Sequence, residues 1–122
     1  MTLQESGEMY LETILILSKR HNIVRAVDIA EYMGFSKPAI SRALNKLREG
    51  NLIITNSEGY IAFTEKGRTL AEKIYKKHVV LTDFIMKLGV DEKTASDDAC
   101  KIEHVISDKT FEAIIRYAKN LS

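Results

Sequence analysis

The sequence predicts a mainly α-helical chain with one small β-hairpin. Apolar residues recur at three- and four-residue spacing through most of the 122 residues. A single pair of β-branched and aromatic runs, Leu52–Thr55 and Tyr60–Phe63, flanks a turn that ends in glycine. Glycines and small polar residues also stand where helices would begin and end. At 45% hydrophobic and 29% charged, the chain has the composition of a folded domain rather than a disordered one. One proline and six glycines exclude collagen-like chains. One cysteine excludes a disulfide framework and suits a reducing cytosol, so a cytoplasmic location is expected. The most apolar stretch, Leu11–Leu17, is short and carries Glu12, so no membrane partner is expected. No basic segment followed by an apolar core opens the chain, which argues against a signal peptide.

The first helix is expected over 3–20, with Leu3, Tyr10, Ile14 and Leu17 near one stripe and Thr2 and Glu5 placed for a capping box. A short helix follows at Val27–Met33 without a clear capping side chain. Gly34 permits the left-handed conformation that ends it, and Phe35 offers an apolar wedge in the turn. Ser36 caps the next helix, Pro38 is tolerated in its first turn, and Gly50 closes it. Its apolar stripe is Ile40, Leu44 and Leu47, which leaves Lys37, Ser41, Arg42, Asn45, Lys46 and Arg48 largely on the exposed side. Two helices joined by a short glycine-containing turn form the helix-turn-helix pattern. The hairpin follows at once around Asn56-Ser-Glu-Gly59, which gives the order of a winged helix-turn-helix.

Thr64 then caps a long helix, Glu65–Leu88, with Leu70, Ile74, Leu81 and Ile85 as its stripe. Gly89 stops it, and Asp91 or Thr94 starts a helix running to about Ile106. Ser107 or Asp108 caps the last helix, Lys109–Asn120, with Phe111, Ile114, Ile115 and Ala118 inward. No Ser/Gly/Pro-rich linker separates the halves. The expected division is a winged helix-turn-helix domain at 1–63 and a helical domain at 64–122, with the helix at 64–88 shared.

Charge is unevenly distributed. Twelve basic and nine acidic residues precede position 81, against six and eight after it. Lys37 to Arg48 carries four bases and no acid. A local basic stretch on a near-neutral protein fits a directed nucleic-acid face, although charge alone favours the simpler reading of a solvated helix face.

The run Cys100-Lys-Ile-Glu103-His104 places a thiolate, a carboxylate and an imidazole at i, i+3 and i+4 on one helix face. All three are ligands for a divalent transition metal. Otherwise Cys100 is a small core residue and the other two a solvated pair. Nothing points to an enzyme: no G-x-S-x-G, phosphate-binding loop, G-x-G-x-x-G or H-E-x-x-H occurs.

With these features the chain resembles the DtxR/MntR family of metal-dependent transcriptional repressors across essentially its whole length. The resemblance rests on Glu8-Met-Tyr-Leu-Glu12, Val27-Asp-Ile-Ala-Glu31, Ser36-Lys-Pro-Ala-Ile-Ser41, Phe63-Thr-Glu-Lys-Gly67, Lys77-His78 and Ala99-Cys-Lys-Ile-Glu-His-Val-Ile-Ser107. Longer family members carry a further SH3-like domain, and this chain resembles the short two-domain form. The resemblance implies a primary metal site at Met9, Cys100, Glu103 and His104. It implies a second at Glu12 and His78 with Glu103 shared. Manganese-type members have aspartate and glutamate at the Met9 and Cys100 positions. Sulfur ligands there shift preference toward Fe(II), with Mn(II) next and Co(II), Ni(II) or Zn(II) accepted in vitro. In the ancillary site of iron-type members, Thr82 and Ser96 replace the usual glutamate and histidine, so the second site is of mixed type.

The implied activity is metal-activated repression of metal-homeostasis genes by a homodimer on double-stranded DNA with a palindromic operator. Ser36, Lys37, Pro38, Ala39, Ser41 and Arg42 are expected at base edges, Arg42 in a bidentate guanine contact. Arg25, Lys46, Asn56 and Ser57 are expected at phosphates. Helices after residue 88, with the end of the long helix, would supply the dimer interface, and no organic substrate is expected. The alternatives are a Mn(II)-responsive repressor of the same family, or a winged-helix regulator that answers to an organic ligand and carries an incidental or structural metal.

Overall fold

A computed structural model describes residues 5–120, with side chains from Gly7 onward. The expected capping box of Thr2 and Glu5, and the apolar Leu3, lie outside the described residues and side chains. The elements are α1 (Glu5–Arg20), α2 (Ala26–Met33), α3 (Lys37–Glu49), β1 (Ile53–Thr55), β2 (Ile61–Phe63), α4 (Glu65–Lys87), α5 (Glu92–Ile102) and α6 (Asp108–Lys119). The chain divides into two compact units, Met1–Glu72 and Lys73–Ser122, with the boundary inside α4.

In the first unit α1, α2 and α3 pack on one another, and α3 packs on β1. Tyr10, Leu11, Ile14, Leu15 and Leu17 of α1 are all buried, a wider face than the single expected stripe and the mark of a central helix. Gly34 ends α2 at φ 73°, and its N–H donates to the Ala30 carbonyl at 2.8 Å. Phe35 is a weaker wedge than its composition suggests. It is 46% exposed, and its ring lies tilted at 6.2 Å from that of Tyr10.

Ser36 caps α3 as expected, its Oγ accepting the Ala39 N–H at 3.3 Å. Ile40, Leu44 and Leu47 are buried at i, i+4 and i+7. Each such side chain contributes about 1.5–3 kcal/mol over leaving it in water. At the far end Gly50 keeps φ −78°, and Asn51 takes the left-handed turn at φ 61° instead. Asparagine is among the few residues that adopt this conformation readily.

β1 and β2 pair antiparallel in the register Ile53↔Phe63, Ile54↔Ala62, Thr55↔Ile61. The strands omit Leu52 and Tyr60. The loop between them is closed by Asn56, whose Oδ1 accepts the N–H groups of Glu58 and Tyr60, each at 2.9 Å. After β2, the Thr64 hydroxyl caps α4 by accepting the Gly67 N–H at 3.0 Å, and donates to the Asn51 carbonyl at 2.7 Å. Gly67 lies so near Leu52 that a Cβ added to it would stand 1.8 Å from the Leu52 carbonyl oxygen.

In the second unit Leu81, Ala99 and Phe111 form the core, with Val80, Ile85, Ile102, Ile106, Ile114 and Ile115 packed around them. Asp91 rather than Thr94 caps α5, and Ser107 rather than Asp108 caps α6. α5 stops at Ile102, earlier than the expected Ile106. Glu103 keeps helical dihedrals, with its N–H on the Ala99 carbonyl at 2.9 Å, and Val105 then bonds back only three residues, to Ile102. The Ile106 N–H also bonds to the Ile102 carbonyl, at 2.9 Å, and Ser107 then takes the extended dihedrals φ −74° and ψ 156° to cap α6. Lys73 and Lys77 of α4 hold Asp108 at 3.2 and 3.3 Å and so fasten the start of α6.

Candidate functional site

The end of α5 and the turn that follows it bring three unlike ligand types together. One donor atom each from Cys100, Glu103 and His104 lies within 4.8 Å of the others. Cys100 is half-buried, the Glu103 side chain has no exposed surface, and the His104 ring is almost fully enclosed. Although α5 ends at Ile102, the helical dihedrals of Glu103 keep the i, i+3, i+4 face nearly intact.

Glu103 stands between two imidazoles. Its Oε1 is 3.2 Å from His104 Nε2, and its Oε2 is 2.9 Å from Nδ1 of His78, one of the residues on α4. Nε2 of His78 lies 3.4 Å from Ser96 Oγ. The Thr82 hydroxyl, one turn after His78, is buried without a hydrogen-bond partner. Sequence spacing alone did not join His78 to Glu103; the family resemblance did.

These donors fit a divalent transition ion. A fully buried carboxylate beside two imidazoles and a thiol is costly to hold without a compensating cation. Thiolate, imidazole and carboxylate together match an ion of borderline softness. Met9 and Glu12 belong to α1 in the first unit, Met9 half-buried and Glu12 buried.

The second candidate surface belongs to the first unit. Ser36, Lys37, Pro38, Ser41, Arg42 and Lys46 of the α3 region are exposed, and Ala39 is half-buried. The first turn of α3 holds no acid, and Lys46 and Arg48 occupy its last turn. Tyr10 is close enough to Arg42 to feel its charge. Burial raises the Tyr10 hydroxyl pKa, and the Arg42 guanidinium opposes that rise.

At the wing, Ser57 is exposed, whereas the Asn56 carbonyl oxygen is engaged within the loop. Arg25 is also engaged: its Nη2 donates to the Tyr60 hydroxyl at 3.0 Å, and its Cζ lies 4.8 Å from the Tyr60 ring centre. Arg48 donates from Nη1 to Thr55 Oγ1 at 2.7 Å and from Nη2 to Asn45 Oδ1. No sequence signal flagged Tyr60 or Thr55 as partners of these arginines. Among the described residues no helix is long and apolar enough to cross a membrane.

Comparison with known proteins matches this architecture along the chain. Residues 2–61 match the family model described as iron dependent repressor, N-terminal DNA binding domain. Residues 64–122 match that of the iron dependent repressor, metal binding and dimerisation domain. An uncharacterized HTH-type transcriptional regulator of Methanocaldococcus jannaschii is 37% identical over 116 residues, covering 92% of this chain and 91% of that protein. The diphtheria toxin repressor of Corynebacterium diphtheriae is 32% identical, covering 98% of this chain but only 54% of its own length. The solved structure of the manganese regulator SloR is 31% identical with a TM-score of 0.82, covering 98% of this chain and 55% of that one. The chain thus spans about half the length of these two relatives and nearly all of the Methanocaldococcus jannaschii one. It belongs to the DtxR/MntR family of metal-dependent transcriptional repressors, a family of DNA-binding proteins and not of enzymes.

Proposed function

We propose that this chain is a cytoplasmic, metal-activated repressor that binds a palindromic operator as a homodimer and controls metal-ion homeostasis genes, with Fe(II) as its favoured effector. One observation carries the metal reading: Cys100, Glu103 and His104 converge around a fully buried carboxylate in a chain that also bears an exposed basic recognition helix. The proposed primary ligands are Met9, Cys100, Glu103 and His104. Met9 enters through the family resemblance alone. The proposed second set is Glu12 and His78 with Glu103 shared, and the His78–Glu103 distance of 2.9 Å supports the latter pair.

Sulfur at positions 9 and 100 favours Fe(II) over Mn(II), with Co(II), Ni(II) and Zn(II) as possible substitutes in vitro. Mn(II) is the second reading, and the resemblance to a manganese regulator supports it. When bound, the ion would supply a positive charge to the buried Glu103 carboxylate, and the proposed ligands would couple ion binding to a larger population with two recognition helices correctly spaced. The functional division remains 1–63 for DNA and 64–122 for metal and dimerisation, with the helix at 64–88 shared.

Ser36, Lys37, Pro38, Ala39, Ser41 and Arg42 are proposed at base edges, and Lys46 and Ser57 at phosphates. Asn56, its Oδ1 engaged within the loop, is proposed at a phosphate beside Ser57, and Arg25 stands at the foot of the wing. The test is anaerobic duplex binding with Fe(II), with Mn(II) and with chelator. Tight binding only with metal is expected, and equal affinity in chelator would refute the switch.

A further inference from the structure

We propose that Arg25 and Tyr60 form a latch that sets the position of the wing, so that Arg25 serves duplex recognition by positioning rather than by neutralising a phosphate. The proposal rests on the DNA-binding reading above. It begins with the two ends of the wing. At the start of β2, the Ile61 N–H donates to the Val24 carbonyl at 2.8 Å, and both residues are buried. One residue after Val24 and one before Ile61, the Arg25 guanidinium lies over the Tyr60 ring at 4.8 Å and donates to its hydroxyl at 3.0 Å.

The backbone of Arg25 is fixed as well. Its N–H donates to Asp28 Oδ2 at 2.9 Å, and its carbonyl accepts from the Asp28 and Ile29 N–H groups that open α2. The wing is therefore tied at β2 to the start of α2. On its other strand Arg48 ties Thr55 of β1 to the end of α3 at 2.7 Å. Inside the loop, Asn56 Oδ1 accepts two backbone N–H groups, which keeps the tip compact between these anchors. An exposed cation over an aromatic face contributes a modest stabilisation, enough to shift a loop's local opening without deciding global folding.

Two measurements on the whole chain test the latch. The first is amide hydrogen exchange at residues 56–61, without DNA, in wild type, Arg25→Gln, Tyr60→Leu and Arg25→Lys. Exchange should rise about 5–10-fold in the Gln and Leu variants with the melting temperature nearly unchanged. Lysine keeps a cation near the ring and should restore most of the protection. The second uses a duplex recovered from a random pool by the Mn(II)-loaded wild type. Arg25→Gln and Tyr60→Leu should each weaken binding about 5–10-fold while the slope of log affinity against log salt stays that of wild type.

A direct phosphate contact behaves otherwise. Arg25→Gln would then flatten the salt slope by about 0.9 per protomer, and Tyr60→Leu would leave both exchange and affinity alone. That pair of results would overturn the latch. A wild type that recovers no duplex in any metal would overturn the DNA-binding reading instead, and the exchange measurement would still decide the latch.

Discussion

Nδ1 of His78 lies 2.9 Å from Oε2 of Glu103, and that carboxylate is fully buried. An imidazole so placed orients the carboxylate whether or not it also ligates an ion. His78→Ala should therefore weaken metal binding about 10–100-fold even at a site composed of Cys100, Glu103 and His104. Competition with a chelator of known affinity, using Co(II) as a spectroscopic probe, measures this. The thiolate-to-Co(II) absorption should persist in His78→Ala at saturating metal and vanish in Cys100→Ala. Wild-type affinity in His78→Ala would mean that Glu103 holds its geometry unaided.

Gly67 gives a sharp test of the first unit. A Cβ at this position would sit 1.8 Å from the Leu52 carbonyl oxygen, so backbone must move before alanine fits. Ordinary overpacking costs about 1–3 kcal/mol, and a clash with backbone belongs at or above the top of that range. Gly67→Ala should lower the midpoint of urea unfolding accordingly, whereas Gly59→Ala meets no atom within 4 Å and strains only its φ of 82°. Equal stability of Gly67→Ala and wild type would contradict the close approach.

What could be read in the sequence was local. Ser36 and Gly34 declare helix ends through their own chemistry, and the stripe Ile40, Leu44, Leu47 declares a buried face through its spacing. Cys100, Glu103 and His104 were legible for the same reason, being within one turn of each other. The early end of α5 was not, because Val105 and Ile106 continue an apolar pattern past the turn at which Val105 bonds back to Ile102. Contacts between distant positions left no periodic trace: Arg25 and Tyr60 are 35 residues apart, His78 and Glu103 are 25 apart. Arg25 is expected at a phosphate from the sequence, which carries no sign of the Tyr60 ring beneath its guanidinium.

Acid should loosen the second unit in a defined direction. Hydrogen bonds from Lys73 and then Lys77, reinforced by their charges, hold the Asp108 carboxyl below the ordinary aspartate pKa. The Thr94 N–H does the same for Asp91 at the start of α5. For a carboxyl whose folded pKa is lowered, the stabilisation is full above the unfolded value of about 3.9 and disappears as pH falls through the folded value. In metal-free protein, Asp108→Asn should lower the melting temperature slightly at neutral pH. The gap should then close as the pH drops below about 4. A gap that persists into strong acid would show that these lysines do not act through the Asp108 charge.

Arg42 tests the recognition helix apart from the metal centre. It is exposed on α3, where the first turn holds no acid. Bidentate guanine contacts discriminate by about 1–3 kcal/mol, so Arg42→Ala should weaken a selected operator by that amount and relax the base preference at one position per half-site. Metal affinity should not change. Selection from a random duplex pool by both proteins reads out the position, and identical selected motifs would remove Arg42 from base recognition.

Metal choice is where the departure from the manganese pattern can be tested most directly. In the proposed primary site Met9 and Cys100 would offer sulfur, where the family resemblance implies carboxylates in manganese-type members. Mn(II) sits lowest among the common first-row ions in affinity for nitrogen and sulfur donors and does best with oxygen. Met9→Asp with Cys100→Glu should therefore raise Mn(II)-activated duplex binding relative to Fe(II), with fold and dimer retained. Glu103→Gln and His104→Ala should impair activation by either ion, because both ligand patterns use those positions. The two classes separate selectivity from competence: the double variant changes the ranking of ions, and the single variants lower every response. Operator binding measured against free Mn(II) and free Fe(II), anaerobically to spare the half-buried Cys100 thiol, distinguishes them. If the double variant ranks the two ions as wild type does, sulfur at positions 9 and 100 does not set selectivity, and the preference for Fe(II) loses its physical basis.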